Sequence, residues 1–397
     1  MMLGYLLART GVDVYVLEKH GDFLRDFRGD TIHPSTLELM YELGILDDFL
    51  KLPHQEVREL SGQVGADTVT IADFTHLPTH CKFVALMPQW DFLNFIAAKA
   101  RKHSGFHLKM RAEVTELITE NGRVAGALAT TPDGVLELRA DLTVGADGRR
   151  SVVRERAGMN AMDLGAPIDV MWMRVSRRPD DPEQTFGHVE PGKILVMLNR
   201  ESYWQCAYVI PKGAADQIKQ KGLAAFREDI KGLSPFLGNR VEELRDWNDV
   251  SLLTVCVDRL TRWAMPGLLC IGDAAHAMSP IGGVGINLAI QDAVATANIL
   301  GAKLLTGDPT EFELDQVQQR REFPTRVIQR IQVAVQNRVI KRVLRSNKPL
   351  SLPWPLKLLR AWPFLRRIPA RVVGVGLRAE HVKTAEHVKV PDAKAAA

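Results

Sequence analysis

The sequence is poor in cysteine: four residues among 397, Cys81, Cys206, Cys256 and Cys270, with no C-x-x-C spacing. That argues against a disulfide framework or a zinc clamp and fits reduced thiols in a cytoplasmic protein. No apolar run reaches the roughly 18 residues that a bilayer span needs. Residues 1–8 are apolar, but Arg9 ends the run and no basic stretch precedes it, so it does not read as a secretory leader. H-E-x-x-H, P-loop and G-x-S-x-G patterns are missing, which leaves metalloprotease, NTPase and α/β-hydrolase readings without support. His103 and His107 have the spacing of a helical metal pair, yet Ser104-Gly105 breaks the helix between them, and His76 and His80 flank Pro78 in a loop. Net charge is only +4, from 51 basic and 47 acidic residues, too little to suggest nucleic-acid binding. The excess is local. Arg320 to Arg378 hold fifteen basic residues against one acidic, Glu322.

With 46% hydrophobic residues the chain can bury a large core, and its length suggests two or three structural units. Apolar residues at helical spacing in 1–10, a stop at Gly11 and an alternating Val12 to Leu17 predict a helix feeding a strand that ends at Glu18. That is the second half of a βαβ unit. Further helices are predicted over 35–50 and 89–103, and 110–144 reads as strand-turn-strand closed by Asn121-Gly122 and Asp133-Gly134. Between 167 and 257 short apolar runs repeat, with one helix over 213–231, which predicts an antiparallel sheet as a separate unit. A buried strand over 267–271, a strongly apolar helix over 287–305 and an amphipathic helix over 325–345 follow.

The strongest chemical signal is Gly272-Asp273-Ala274-Ala275-His276-Ala277-Met278-Ser279-Pro280-Ile281-Gly282-Gly283-Val284-Gly285-Ile286-Asn287, set between that buried strand and the apolar helix. A carboxylate at a strand end can accept hydrogen bonds from a polyol. Glycines let backbone amides approach a planar ligand, and the helix start favours anionic charge there. A second segment, Gly145-Ala146-Asp147-Gly148-Arg149-Arg150-Ser151-Val152-Val153-Arg154, reads alone as a turn with Ser151 as a helix cap.

The two strings, in this order and at this separation, resemble the flavin-contacting and D-G motifs of the FAD-dependent aromatic hydroxylases, the group A flavoprotein monooxygenases typified by p-hydroxybenzoate hydroxylase. The resemblance covers roughly residues 1–305. It implies an α/β fold: a Rossmann-like FAD-binding domain over 1–55, 88–165 and 259–305, an antiparallel-sheet substrate domain over 56–87 and 166–258, and a helical, basic C-terminal segment over 306–397. It also implies FAD, with NADPH or NADH as co-substrate, hydroxylating an aromatic or related ring with O2 through a flavin C4a-hydroperoxide. Asp273 would bind the ribityl hydroxyls, and Pro280, Gly282, Gly283 and Gly285 would shape the turn beside the ring. The amides of Ile286 and Asn287 would hold the pyrimidine edge. Glu18 matches the acid that binds the adenosine ribose, Asp147 and Arg28 match residues near the FAD phosphates, and Gln89 resembles the glutamine beside the ribityl chain. One departure stands out: no G-x-G-x-x-G precedes the first helix, so either the true start lies upstream or the chain has lost its first strand and most of its phosphate cradle.

Alternation in 203–208 puts Tyr203 and Gln205 on one sheet face and Trp204, Cys206 and Tyr208 on the other; family parity points to Tyr203 and Gln205 as substrate-side residues. Trp172, Arg174 and His188 are further candidates. Residues 348–371 mix tryptophan and leucine with lysine and arginine, a composition that suits either packing on the flavin domain with solvated charges or peripheral contact with an anionic membrane. Two other functional readings stay open: another flavoenzyme of this architecture, such as a reductase, epoxidase or halogenase, and a flavin-deficient remnant that acts as a binding protein.

Overall fold

A computed structural model describes residues 1–24, 31–183 and 185–387. The helix Met2–Arg9 buries Met2, Tyr5, Leu6 and Leu7 and leads into the strand Val14–Glu18. The two elements touch closely at Gly4, where a Cβ would stand 2.6 Å from Val16 Cγ2. Val14–Glu18 pairs in parallel with Phe106–Met110. A second parallel pair, Thr143–Gly145 with Leu268–Cys270, is edged by Ala264–Met265. The two sheets share one core, to which Leu6, Phe92, Ile96, Leu269 and Val294 contribute, with the helices Gln89–Ala100 and Gly285–Leu300 packed around it. Glu113–Glu120, Arg123–Thr131 and Gly134–Arg139 form the expected antiparallel hairpins. Asn121 and Gly122 take the positive φ angles, 50° and 77°, that such a turn requires.

The large sheet has seven strands in the order Ser251–Leu253, Ile168–Ser176, Tyr203–Pro211, Lys193–Asn199, Phe186–Glu190, Glu59–Val64 and Asp67–Asp73. One of its faces carries Met171, Met173, Trp204, Cys206 and Tyr208 beneath Phe226 and Ile230 of the helix Leu223–Leu233. The opposite face, with Val170, Ala207 and Val209, meets Val343. The sheet is not wholly antiparallel, because Phe186–Glu190 runs parallel to Glu59–Val64. That partner comes from a remote segment, so its direction left no trace in local sequence. Of the early strands, Glu59–Val64 and Asp67–Asp73 join this sheet, whereas Val84–Leu86 lies between Gln55–Val57 and Thr31–Ile32 and pairs antiparallel with both.

Three predicted helices need correction. The one expected over 35–50 is two, Pro34–Glu42 and Leu46–Phe49, because Gly44 turns the chain at φ 68°. That over 213–231 divides at Gly222, φ 90°, into Ala215–Gln220 and Leu223–Leu233. The last starts earlier than expected, at Glu311 behind a Thr310–Glu313 capping box, and runs to Val335 with Pro324 inside it. It continues through a π-helical turn, Gln336–Ile340, into Lys341–Leu344. Among the described residues no helix is long and apolar enough to cross a membrane, and no cluster of His, Cys, Asp or Glu could hold a metal ion.

The chain then returns to the N-terminal unit. Trp354–Ala361 and Arg367–Gly374 lie against the strand Asp67–Asp73. Gly374 packs so closely that a Cβ would come 2.7 Å from Leu77. Beside it, Nδ1 of the buried His33 donates to the carbonyl of Val373 at 2.7 Å. Burial lowers the His33 pKa from 6.5 to about 4, the carbonyl contact opposing only part of the shift. From pH 6.5 down to about 4, the unfolded chain therefore gains a proton that the folded chain refuses. The stability His33 allows is complete above pH 6.5 and lost as pH falls, by about 3 kcal/mol. Urea unfolding of the wild type is expected to show this loss, and His33→Asn to show a shallower decline over the same interval.

Candidate active site

The strand Leu268–Cys270 is fully buried, and the chain leaves it into the loop that precedes the helix Gly285–Leu300. At Gly283, φ is 61° and a Cβ would lie 2.4 Å from Thr31 Oγ1; the Gly283 carbonyl accepts from that hydroxyl at 2.8 Å. Only glycine fits there. The following helix starts at Val284, which offers no side-chain cap, so the helix presents its first amides and positive dipole end uncapped by a side chain. At Gly285 a Cβ would point toward the loop, 3.6 Å from Met278 Cβ and 3.9 Å from Asp273 Oδ1. The helix start and the carboxylate thus face one another across a glycine. A polyol and an anionic planar group suit that pair of walls.

A buried ionic network holds the loop from behind. Asp292 Oδ2 accepts from the Gly272 amide at 3.0 Å and from His276 Nε2 at 2.6 Å, while Oδ1 accepts from Arg321 Nε at 3.0 Å. Arg321 also reaches Glu380 at 3.3 Å. Burial alone would raise the Asp292 pKa, but His276, Arg321 and the Gly272 amide outweigh it and hold the carboxyl ionised. The long helix adds a ladder of glutamines. Gln329 Nε2 donates to the Ala277 carbonyl at 3.1 Å, and Gln332 Nε2 to those of Ser279 and Ile281 at 3.0 and 2.9 Å. Gln336 Nε2 donates to Ser279 Oγ at 2.6 Å.

The two sequence motifs meet. Thr143–Gly145 and Leu268–Cys270 are neighbouring parallel strands, so the loops leaving their ends lie side by side. Arg149 Nη2 stands 3.6 Å from Asp273 Oδ2, whose side chain is 31% exposed. Asp147 binds Ser151 Oγ at 2.5 Å and the Val153 amide at 3.2 Å, bracing the helix Val152–Arg156, which Ser151 caps through the Arg154 amide. Pro280 and Gly282 lie in the turn before the helix, and Gly285, Ile286 and Asn287 open it. The Asn287 side chain is committed elsewhere: Oδ1 accepts from the His33 amide and Thr36 Oγ1, at 3.2 and 2.7 Å. Glu18 ends its strand on the other parallel sheet and accepts from the His20 amide at 2.9 Å. Gln89 opens the helix Gln89–Ala100 behind Pro88, half-buried. Arg28 lies outside the described residues.

On the large sheet, the face bearing Trp204, Cys206 and Tyr208 is sealed by the helix Leu223–Leu233. Tyr203 and Gln205 share the other face with Ala207 and Val209, and Arg174 lies over the Tyr203 ring at 4.8 Å. Gln205 Oε1 accepts from Arg200 Nε at 3.1 Å. His188 instead packs edge-on to Phe186, which joins the sealed face. The long helix connects loop and sheet, since Gln336 holds Ser279 while the Val343 carbonyl accepts from the Gly192 amide at 3.0 Å. Burial pushes the Cys270 thiol up to about 12 and raises that of Cys256, so neither supplies a thiolate nucleophile near the loop. Sequence reasoning missed Asp292 and the glutamines. The available signals were one acid inside an otherwise apolar helix and glutamines spaced three and four apart.

Replacing Asp292 by Ala would leave Arg321 buried without its main partner and the Gly272 amide unsatisfied. A loss of about 3–5 kcal/mol in urea-unfolding free energy is expected.

Residues 1–331 match the family model described as an FAD binding domain. The chain is 32% identical over 375 residues to 6-methylpretetramide 4-monooxygenase of Streptomyces rimosus, a match covering 94% of this chain and 89% of that protein. It is 27% identical over 319 residues to the uncharacterized aromatic compound monooxygenase YhjG of Bacillus subtilis strain 168, covering 78% of this chain and 60% of that one. Among solved structures, PqsL of P. aeruginosa in complex with 2-aminobenzoylacetate superposes with a TM-score of 0.74 at 20% identity, over 87% of this chain and 94% of that one. The p-nitrophenol 4-monooxygenase PnpA of Pseudomonas putida DLL-E4 gives 0.72 at 19%, over 93% and 94%. At such identities the structural likeness concerns the fold.

Proposed function

The chain belongs to the FAD-dependent aromatic hydroxylase family and is an FAD-dependent monooxygenase, and from that premise we propose how its own residues seat the cofactor and the substrate. One observation carries the reading: Asp273 and the uncapped start of the helix Gly285–Leu300 face one another across Gly285. When bound, FAD would supply the redox chemistry: two electrons come from NAD(P)H, and O2 gives one oxygen atom to the substrate and the other to water. Asp273 accepts hydrogen bonds from the ribityl hydroxyls, and Arg149 beside it balances its charge. The amides of Ile286 and Asn287 donate to the pyrimidine edge, where the helix dipole favours negative charge. Pro280, Gly282 and Gly283 shape the turn beside the ring, while Gln329 and Gln332 keep the loop carbonyls turned away from it. Asp147, Glu18, Gln89 and Arg28 are assigned to the remaining stretches of the cofactor, Glu18 to its adenosine ribose.

The finer domain reading belongs to the same proposal. The two parallel pairs, ending at Glu18 and at Gly145 and Cys270, sit in separate sheets over one core, and Val14, Val16 and Val144 are only half-buried there. One further parallel strand between them would make a continuous dinucleotide-binding sheet, and the glycine turn after it would enter the helix Met2–Arg9. This supports a Rossmann-like unit, of which these residues supply the part from the helix Met2–Arg9 onward.

For the substrate we propose an aromatic or related ring between the flavin loop and the sheet face of Tyr203 and Gln205. Two features support that face: the opposite one is sealed, and the helix that holds Ser279 also reaches this one. A relative matched over 94% of this chain is named a monooxygenase, which favours hydroxylation over the reductase, epoxidase, halogenase and flavin-free readings. Purified chain supplied with FAD is expected to oxidise NAD(P)H faster when a phenolic ring compound is added, and the product should carry label from 18O2. Gln205→Ala is expected to raise KM for that compound roughly fivefold to tenfold, the cost of one hydrogen bond, with Cys206→Ala on the sealed face leaving it unchanged. Oxidation that ignores every ring compound, or product without label, would refute the hydroxylase assignment.

A further inference from the structure

The C-terminal arm is anchored on one side and bare on the other. On its inner side, Arg360 pairs with Asp67 at 2.6 Å, Ala370 is fully buried, and Val373 and Gly374 are held by His33 and Leu77. On its outer side four large apolar side chains stand in solvent: Trp354 is 73% exposed, Trp362 54%, Phe364 61% and Ile368 62%. Because the inner contacts fix the arm, these side chains cannot turn inward without giving those contacts up. Of the two alternatives left open for residues 348–371, packing on the flavin-binding unit is therefore met only in part. The arm does pack on the flavin-binding unit, but its aromatics are not what packs.

The charge around these side chains is of one sign. Residues 348–371 contain six basic side chains and no acidic one. Lys357, Arg367 and Arg371 are exposed beside the bare aromatics. Two acids of the strand beneath are engaged by the arm: Asp67 is taken up by Arg360, and Asp73 lies close enough to Arg367 to feel its charge. Tryptophan and phenylalanine set among cations, on short helices with no acid between them, match what an anionic lipid interface accepts. The rings enter the headgroup region while the basic groups meet phosphates. An acidic protein surface would satisfy the cations but gives no reason for three aromatic rings to stand bare.

We infer that the outer face of the arm docks this enzyme peripherally on an anionic lipid surface, with Trp354, Trp362, Phe364 and Ile368 as the inserted anchors and Lys357, Arg367 and Arg371 as the headgroup contacts. The inference does not depend on how the flavin site is read.

Flotation of the full chain with vesicles tests it, one set of phosphatidylcholine alone and one of phosphatidylcholine mixed with phosphatidylglycerol. The protein is expected to float with the anionic vesicles only, to be released by salt, and to shift its tryptophan emission to the blue on binding. Trp354→Ser combined with Trp362→Ser and Phe364→Ser should abolish flotation while cooperative thermal unfolding is retained. Arg367→Gln with Arg371→Gln should weaken it by roughly tenfold or more, and this second variant decides the matter if the first does not fold. Failure of the wild type to float at low salt would overturn the proposal. So would aromatic variants that bind like the wild type, a result that would leave charge alone as the contact and the aromatics without a role as anchors.

Discussion

A buried carboxylate organises this enzyme. Asp292 sits within the apolar helix that follows the flavin loop, and its two oxygens bind the first amide of that loop, a histidine in the middle of it and an arginine from the long helix. Through Arg321 and Glu380 the same network reaches the returning C-terminal segment. Burying such charges is costly, and no gain in stability explains them well, since apolar packing would do as much. What they supply is geometry. The loop turns back on itself through glycines, and on the proposed reading its amides and Asp273 must stay directed at the cofactor, so it cannot be stiffened by its own side chains. Stiffness has to come from behind, and Asp292 with the three glutamines provides it.

This division of labour accounts for what could be read in advance. The residues proposed to face the cofactor form one continuous string with an unusual composition, and the structure sets that string beside the Asp147 segment through two adjacent parallel strands. Alternation in 203–208 likewise separated the face of Tyr203 and Gln205 from the one sealed by the helix Leu223–Leu233. The residues behind the loop left a weaker trace. Gln329, Gln332 and Gln336 follow helical spacing but are polar, so they read as a solvated face, although all three are buried. The clamp from Thr31, His33 and Thr36 to the loop and to Asn287 joins positions about 250 residues apart, a pairing that no local pattern announces. The parallel pairing of 59–64 with 186–190 was hidden for the same reason, and the broken helices turned on single glycines whose φ angles only the folded chain reveals.

The long helix and the arm after it give the C-terminal third a double role. Its first half builds the site: glutamines on one stretch hold the loop, and the stretch beyond the π-helical turn meets the sheet face that carries Tyr203 and Gln205. A π turn loosens the helix between those two duties, as such turns often do at functional sites. Its second half closes over the N-terminal unit through His33 and Gly374, and leaves its aromatic side outward.

At the centre of this account stands the claim that Asp273 and the helix start at Gly285 are two walls of one flavin seat. A fluorescence titration of the purified chain with FAD, run beside Gly285→Val, tests it most directly. The account predicts saturable binding by the wild type and a loss of at least tenfold in the variant, whose thermal unfolding stays cooperative, because the added side chain fills the space between the walls. Binding of equal strength in both, or none in the wild type, would contradict it.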